Sequence, residues 1–375
     1  MHKSPGGRPG QEVLSKDGAV KMSFRSEDEH YMREALRLAE RGLYTVSPNP
    51  AVGAVIVKNG EIVGKGYHRK AGEPHAEVYA LREAGEKAKG ATAYVTLEPC
   101  SHYGRTPPCA EALIKAGVSR VVAAMVDPNP KVSGKGIAML REAGIEADTG
   151  LLSDEAEALN RGFLQRMRTG RPYVRLKLGI SIDGRTALNN GVSHWITSSS
   201  SRSDVQRYRA MSSAIMSTSE TLKVDNPTLS VRWNELPLEV QSVLKPEEVR
   251  QPVRVIVDSR SRVTGDKAVF SVKSPILLLR REKGECPEGA SEILFPGSGQ
   301  LQLASVLRGL GRREINDLWI EAGGHFAGAL IEANLADEII LYMAPTFLGS
   351  KSRPLAELPE YYRLEDAPSY ETENT

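Results

Sequence analysis

Helix signals and strand signals alternate along this chain in two separate stretches, and that alternation confines it to a pair of α/β domains. In the first stretch Ser26, followed by Glu27, Asp28 and Glu29, starts a helix with acids where the dipole favours them. Tyr31, Ala35, Leu36 and Leu38 continue its apolar face toward Gly42. Residues 51–57 and 62–67 read as strands joined by a tight Asn59-Gly60 turn. Helices over 75–88, 109–116 and 134–143 then alternate with strands at 92–97, 121–126 and near Ile145. A connecting helix is expected over 153–168. After Arg171-Pro172 the pattern restarts, with strands at 173–178, 214–216, 253–257, 276–279, 317–320 and 338–342 and helices at 204–210, 301–310 and 326–333. The expected partition is therefore an extension or tag over 1–24, a first domain over 25–150, a linker helix over 151–171 and a second domain over 172–375. No internal repeat relates the two halves.

Charge and cysteine usage exclude several classes of protein. Lys+Arg number 49 against 47 Asp+Glu, so the footprint of a nucleic-acid binder is missing. The three cysteines, Cys100, Cys109 and Cys286, are too few and too odd for a disulfide framework and indicate a reducing compartment, hence the cytoplasm. No apolar run reaches the roughly 18 residues of a membrane span.

Two of those cysteines belong to a pattern. His75-Ala76-Glu77 opens a helix, Pro99-Cys100 follows a strand, and Cys109 begins the next helix, which is the H-x-E…P-C…C arrangement of zinc deaminases. His75, Cys100 and Cys109 offer Zn2+ one imidazole and two thiolates and leave its fourth position to water, the catalytic rather than the closed structural pattern. Glu77, two residues from the ligand histidine, is expected to move the protons. A closed zinc knot would require a fourth ligand; His102 is the nearest candidate, and it would leave Glu77 without a role.

Eight residues separate the cysteines, in Cys100-Ser101-His102-Tyr103-Gly104-Arg105-Thr106-Pro107-Pro108-Cys109, where most such deaminases have two. With Pro48-Asn49-Pro50, Gly66-Tyr67-His68 and Asp127-Pro128-Asn129-Pro130, this resembles the bifunctional deaminase/reductase family of riboflavin biosynthesis, RibD, from about Glu27 to Leu358. The resemblance implies a cytidine-deaminase-like three-layer sandwich followed by a dihydrofolate-reductase-like α/β domain. It implies removal of an amine from a diaminopyrimidinone carrying a ribosylamino 5′-phosphate, then reduction of the ribosyl to a ribityl chain with NADPH. Asn49, His68 and His102 would contact the first substrate.

In the second domain the blocks from Ser181 to Ala187, Ser193 to Thr197, Thr221 with Asp225-Asn226-Pro227, and Glu321 to Gly328 carry the same resemblance. It places Gly179, Trp195, Thr221, Asp225 and the turn Gly323, Gly324, His325, Phe326, Ala327, Gly328 and Ala329 at the cofactor. It places Ser193, Arg209, Leu229, Arg232 and Glu321 at the ribosyl phosphate. Lys177, on the strand expected to floor the site, would hold the ribose or help protonate it. A glycine turn between strand and helix lets backbone N–H groups approach a phosphate. Gly324-His325 departs from the family's usual pair, and the chain ends soon after Arg363-Leu364, where relatives continue with strand; a truncated final sheet segment is expected. A sheet edge in this domain would suit a homodimer. The alternatives are a zinc deaminase of nucleobases or transfer RNA, a zinc-stabilised binding module, and a deaminase whose degenerate second domain serves dimerisation. The first demands short cysteine spacing and a basic surface; the second, loss of Glu77.

Overall fold

The computed structural model describes residues 24–103, 107–130, 132–192, 198–297 and 301–372. The expected extension falls almost wholly outside them, as do Ser193 and Trp195. The chain divides into two compact units, one ending at Thr169 and one running from Gly170.

The first unit begins with α1 (Asp28–Glu40), the hairpin β1 (Gly53–Lys58) and β2 (Glu61–Tyr67), and α2 (Ala76–Ala84). It continues through β3 (Thr92–Val95), α3 (Cys109–Ala116), β4 (Arg120–Ala123), α4 (Lys135–Glu142) and β5 (Glu146–Thr149), and ends with α5 (Ser153–Leu159) and α6 (Arg161–Thr169). Its sheet has the order β2-β1-β3-β4-β5, with β1 antiparallel to both neighbours and β3, β4 and β5 parallel. One face buries Ala54, Ile56, Val95 and Val121 against the alanine-rich α2 and against α3 and α4. The other buries Val55, Tyr94 and Val122 against Tyr31, Met32 and Ala35 of α1 and against Phe163 and Leu164 of α6. That is three layers. The segment expected as a linker helix is two helices packed into this core, broken at Asn160, whose amide bonds both the N–H and the C=O of Ala51 at 2.8 and 2.9 Å. A buried amide committed to distant backbone cannot continue a helix surface, and periodicity alone cannot show this.

Behind the sheet lies a charged knot. The carboxylate of Asp28 accepts from Arg120 at 2.8 and 2.9 Å and from the Tyr94 hydroxyl at 2.7 Å. Arg120 also donates to Asp148 at 2.8 Å, so α1, β3, β4 and β5 share one fully bonded ion network.

The second unit contains β6 (Tyr173–Ser181), β7 (Arg185–Ala187), α7 (Ser199–Met211), β8 (Ala214–Thr218), α8 (Ser219–Asp225), α9 (Leu238–Gln241) and β9 (Val253–Val257). It closes with β10 (Ile276–Arg280), β11 (Ala290–Leu294), α10 (Leu303–Gly311), β12 (Asp317–Glu321), α11 (Gly324–Glu332), β13 (Glu338–Ala344) and β14 (Arg353–Pro354). Among the described residues the main sheet has seven strands in the order β11-β10-β9-β8-β12-β6-β13, all paired in parallel. The central strands carry near-continuous apolar runs, such as Leu318-Trp319-Ile320, as a sheet covered on both faces requires. Helix α7 extends upstream of the expected 204–210 because Ser198 caps it, accepting from the Ser201 N–H at 3.1 Å.

Candidate metal centre and cofactor cavity

Helix α2 lies flat on β2 because Gly64 and Gly66 have no side chains beneath it: a Cβ at Gly64 would lie 2.1 Å from the Ala80 carbonyl oxygen, and one at Gly66 2.2 Å from that of Ala76. This seats the first turn of α2, with His75 at its N-cap, beside the end of β3 and the start of α3. His75 Nδ1 is 3.6 Å from Cys100 Sγ and 3.3 Å from Cys109 Sγ, and the Cys109 N–H donates to Cys100 Sγ at 3.3 Å. A tetrahedral zinc at the usual ~2.3 Å from sulfur and ~2.1 Å from nitrogen holds those atoms about 3.6 Å apart, so the donor set fits the ion. Among the described residues these three form the one cluster able to hold a metal.

Electrostatics agree with that donor set. The hydrogen bond with Cys109, together with the His75 ring, draws the Cys100 thiol down to about 4. The same contact, burial and the nearby negative charges of Glu77 and Cys100 push the Cys109 thiol up. Glu77 is 3% exposed, and burial pushes its carboxyl upward. His68 is also buried: its Nδ1 faces the Pro74 carbonyl at 3.1 Å, so Nδ1 carries the proton and Nε2 accepts from the Asn49 amide at 2.9 Å. Burial lowers its pKa, and its ring packs edge-on to His75 at 5.4 Å. Asn49 and His68 are thus one hydrogen-bonded pair beside the metal ligands, whereas His102 is exposed.

In the second unit a cavity of about 850 Å3 opens at the carboxyl ends of β6, β8, β9 and β12. Ligand sites of parallel sheets occur at this end of the strands, and the volume lies within the ~300–1,000 Å3 usual for small-molecule sites. Lys177, Gly179, Thr221, Asp225, Leu229, Glu321, Gly323, Gly324, His325, Phe326 and Ala329 all line it. The glycine turn is not uniform. A Cβ at Gly323 would meet nothing within 4 Å, so this N-cap leaves open backbone toward the cavity. A Cβ at Gly328 would lie 2.0 Å from the Glu357 carbonyl oxygen, so that glycine serves packing, and neither it nor Ala327 is in the lining.

The two arginines expected at a sugar phosphate are already engaged. Arg209 is buried, with Nε and Nη2 on Glu321 at 2.7 and 2.9 Å and Nη1 on the Ser230 carbonyl at 3.0 Å. Arg232 pairs on the surface with Glu235 at 2.5 and 2.7 Å. Neither lines the cavity. Ser259, Arg260 and Arg262, from the turn after β9, do line it and were missed; the signal was a serine- and arginine-rich stretch, Ser259 to Arg262, directly after a valine-rich strand.

Comparison with known proteins joins the two halves. Residues 25–125 match the cytidine and deoxycytidylate deaminase zinc-binding region, and residues 172–374 match the RibD C-terminal domain. The riboflavin biosynthesis protein RibD of Haemophilus influenzae is 54% identical over 353 residues, covering 93% of this chain and 94% of that protein. That of Escherichia coli is 54% identical over 347 residues, covering 92% and 95%. Among solved structures, Acinetobacter baumannii RibD superposes with a TM-score of 0.83 at 45% identity, covering 90% of this chain and 92% of that one. A diaminohydroxyphosphoribosylaminopyrimidine deaminase/5-amino-6-(5-phosphoribosylamino)uracil reductase from Thermotoga maritima gives 0.79 at 34% identity, covering 89% and 91%.

Proposed function

This chain belongs to the RibD family of bifunctional riboflavin-biosynthesis enzymes, and from that premise we propose how its own residues divide the two reactions. The protein is a zinc deaminase and a reductase of the NADPH-using RibD type, acting on a small pyrimidine. The substrate we assign is the diaminopyrimidinone bearing a ribosylamino 5′-phosphate.

For deamination His75, Cys100 and Cys109 hold the metal. Zinc, when bound there, supplies a Lewis acid that makes water nucleophilic near neutral pH. Glu77 would take the attacking water's two protons in turn, passing the first to a ring nitrogen and the second, from the hydroxyl then on the ring carbon, to the amine that leaves as ammonia. Burial that pushes its carboxyl upward suits a group that must both take and give a proton. His68, its tautomer fixed by the Pro74 carbonyl, holds the Asn49 side chain in place for the pyrimidine.

For reduction NADPH supplies the hydride, and this chain supplies its placement. Gly323 leaves the N-terminus of α11 open to a cofactor phosphate, and Thr221 and Asp225 line the same cavity. Lys177 faces the opening sugar. Glu321 stands opposite it in the β6–β12 register and is anchored by Arg209, so Arg209 acts by fixing Glu321 rather than by binding phosphate. On the edge strand β13, Met343 is 60% exposed, and Phe347 just beyond it is 73% exposed; these favour a homodimer across that edge. The small phosphorylated substrate and the unpaired cysteines fit a cytoplasmic enzyme.

The observation that carries this reading is the convergence of one imidazole nitrogen and two sulfurs at zinc spacing beside a buried glutamate. The test is sequential: supply the diaminopyrimidinone ribosylamino phosphate, follow ammonia, then add NADPH and follow its absorbance. Stoichiometric ammonia followed by NADPH consumption is expected. Ammonia with no NADPH consumption would remove the second activity, and no ammonia would remove the first.

A further inference from the structure

We infer that Glu98 is a positioning residue of the metal centre, a buried carboxylate that clamps the turn carrying Cys100 to the start of α4 and to Asp127. Glu98 is 3% exposed, between β3 and Pro99-Cys100. Its Oε1 accepts the N–H groups of Gly136 at 2.8 Å and Ile137 at 3.3 Å. Its Oε2 accepts those of Gly134 at 2.8 Å and Asp127 at 3.1 Å. A carboxylate offers about four acceptor positions, and here four backbone donors fill them. Three of those donors, at Gly134, Gly136 and Ile137, belong to the cap and first turn of α4, where no intrahelical carbonyl is available and a negative charge is favoured.

The clamp bears directly on the ligand turn. A Cβ at Gly136 would lie 1.9 Å from the Pro99 carbonyl oxygen, so the α4 backbone sits flush against the residue before Cys100. On its other side the turn is held by the Ala110 N–H on the Cys100 carbonyl at 3.1 Å and the Cys109 N–H on Cys100 Sγ. Cys100 Sγ is therefore fixed from two directions, by the start of α3 and, through Glu98, by α4. Groups that orient metal ligands without touching the metal typically account for about 10–100-fold in affinity or activity.

Glu98→Gln separates positioning from bulk. The amide keeps the shape but has one oxygen, so whichever way it is flipped its NH2 faces two N–H donors. Expected for E98Q are displaced visible bands in the cobalt-substituted full-length protein and zinc loss to a chelator about tenfold faster than wild type. Turnover in the second unit on its own substrate should be unchanged. A folded E98Q with wild-type cobalt bands and wild-type zinc release overturns the inference.

Should E98Q fail to fold, the wild-type protein answers by linkage: if Glu98 helps hold the site for metal, metal helps hold the Glu98 bonds by the same factor. Removing zinc should speed hydrogen exchange at the amides of Asp127, Gly134, Gly136 and Ile137 about tenfold. Unchanged exchange at these amides overturns it. The inference rests on the zinc reading above, and the failures differ: wild type that takes up no zinc sinks that reading, whereas zinc uptake with unaltered amides sinks this one alone.

Discussion

The two sites are built on opposite plans. In the first unit His75, Glu77 and Cys109 sit at two helix starts, and Cys100 sits on the short turn that follows β3. In the second unit the cavity of about 850 Å3 is assembled from the ends of four strands and the loops beyond them, with exposed side chains such as Arg260 and His325 at its rim. A metal fixes its ligands to within tenths of an ångström, so the first site needs a rigid frame and a short donor set. A dinucleotide is large, so the second needs a long wall and open backbone. The lesson is that ligand size sets how local a site can be, and that each half should respond to damage in its own way.

The sharpest separation comes from Glu77→Gln. It should lower ammonia release by about 10^2- to 10^4-fold while leaving NADPH oxidation with the deaminated substrate intact. A parallel loss of both activities would break the two-plan account. Next in size is Asp28→Ala, which takes from the buried Arg120 guanidinium its fully buried partner and leaves it Asp148 and Glu146. Removing one partner of a buried pair costs about 3–5 kcal/mol when the other charge is left unpaired, and the bonds Arg120 keeps hold the loss to about 3 kcal/mol or less. Thermal inactivation of the deaminase should shift down by many degrees, with that of the reductase little moved.

Acid should injure the second unit in turn. Burial alone would push the Glu321 carboxyl up, but the charge and hydrogen bonds of Arg209, with Lys177 nearby, outweigh it and hold the carboxyl down to about 2. Its folded pKa lies below the ordinary carboxylate value of 4.5, so its contribution to stability is complete above about pH 4.5 and disappears as pH falls toward 2. Denaturant titrations between pH 5 and 3 should show wild type losing about 2 kcal/mol more than Glu321→Gln, whose amide does not titrate. Identical acid slopes would contradict the pairing. The smallest effect contrasts two glycines of one turn. Gly328→Ala, driven into the Glu357 backbone, should cost about 1–3 kcal/mol of stability. Gly323→Ala should leave melting unchanged and raise the KM for NADPH less than about tenfold, as one methyl in the phosphate's path would. If Gly323→Ala alters stability instead, the open-backbone reading is wrong.

These contrasts also explain what could be read in advance. The cluster of His75, Cys100 and Cys109 was legible because zinc chemistry dictates residue types and places them at element boundaries, which periodicity locates well. The alternation of helix and strand was legible for elements with a strong apolar face, such as α1 and β12. Glu98 was not, since one glutamate before a proline resembles any surface acid until four backbone donors are seen to converge on it. The break at Asn160 depended on a partner, Ala51, more than a hundred residues away. The short strands β7 and β11 are only partly buried, β14 is exposed, and none carries much alternation. The arginines told the reverse story: Arg209 and Glu321 resembled the furniture of a phosphate site, yet opposite charges meeting in a buried space neutralise each other first. Sequence spacing identifies groups that a ligand must hold, and it is weakest for groups the protein holds for itself.

The account depends most on the coordination at His75, Cys100 and Cys109, and X-ray absorption at the zinc edge on the purified full-length protein tests it directly. One zinc per chain, with two sulfur neighbours near ~2.3 Å and two lighter neighbours near ~2.0–2.1 Å, one of them exchangeable solvent, is the expected result. A protein that binds no zinc, or a fourth ligand supplied by the chain with no exchangeable solvent, would contradict it.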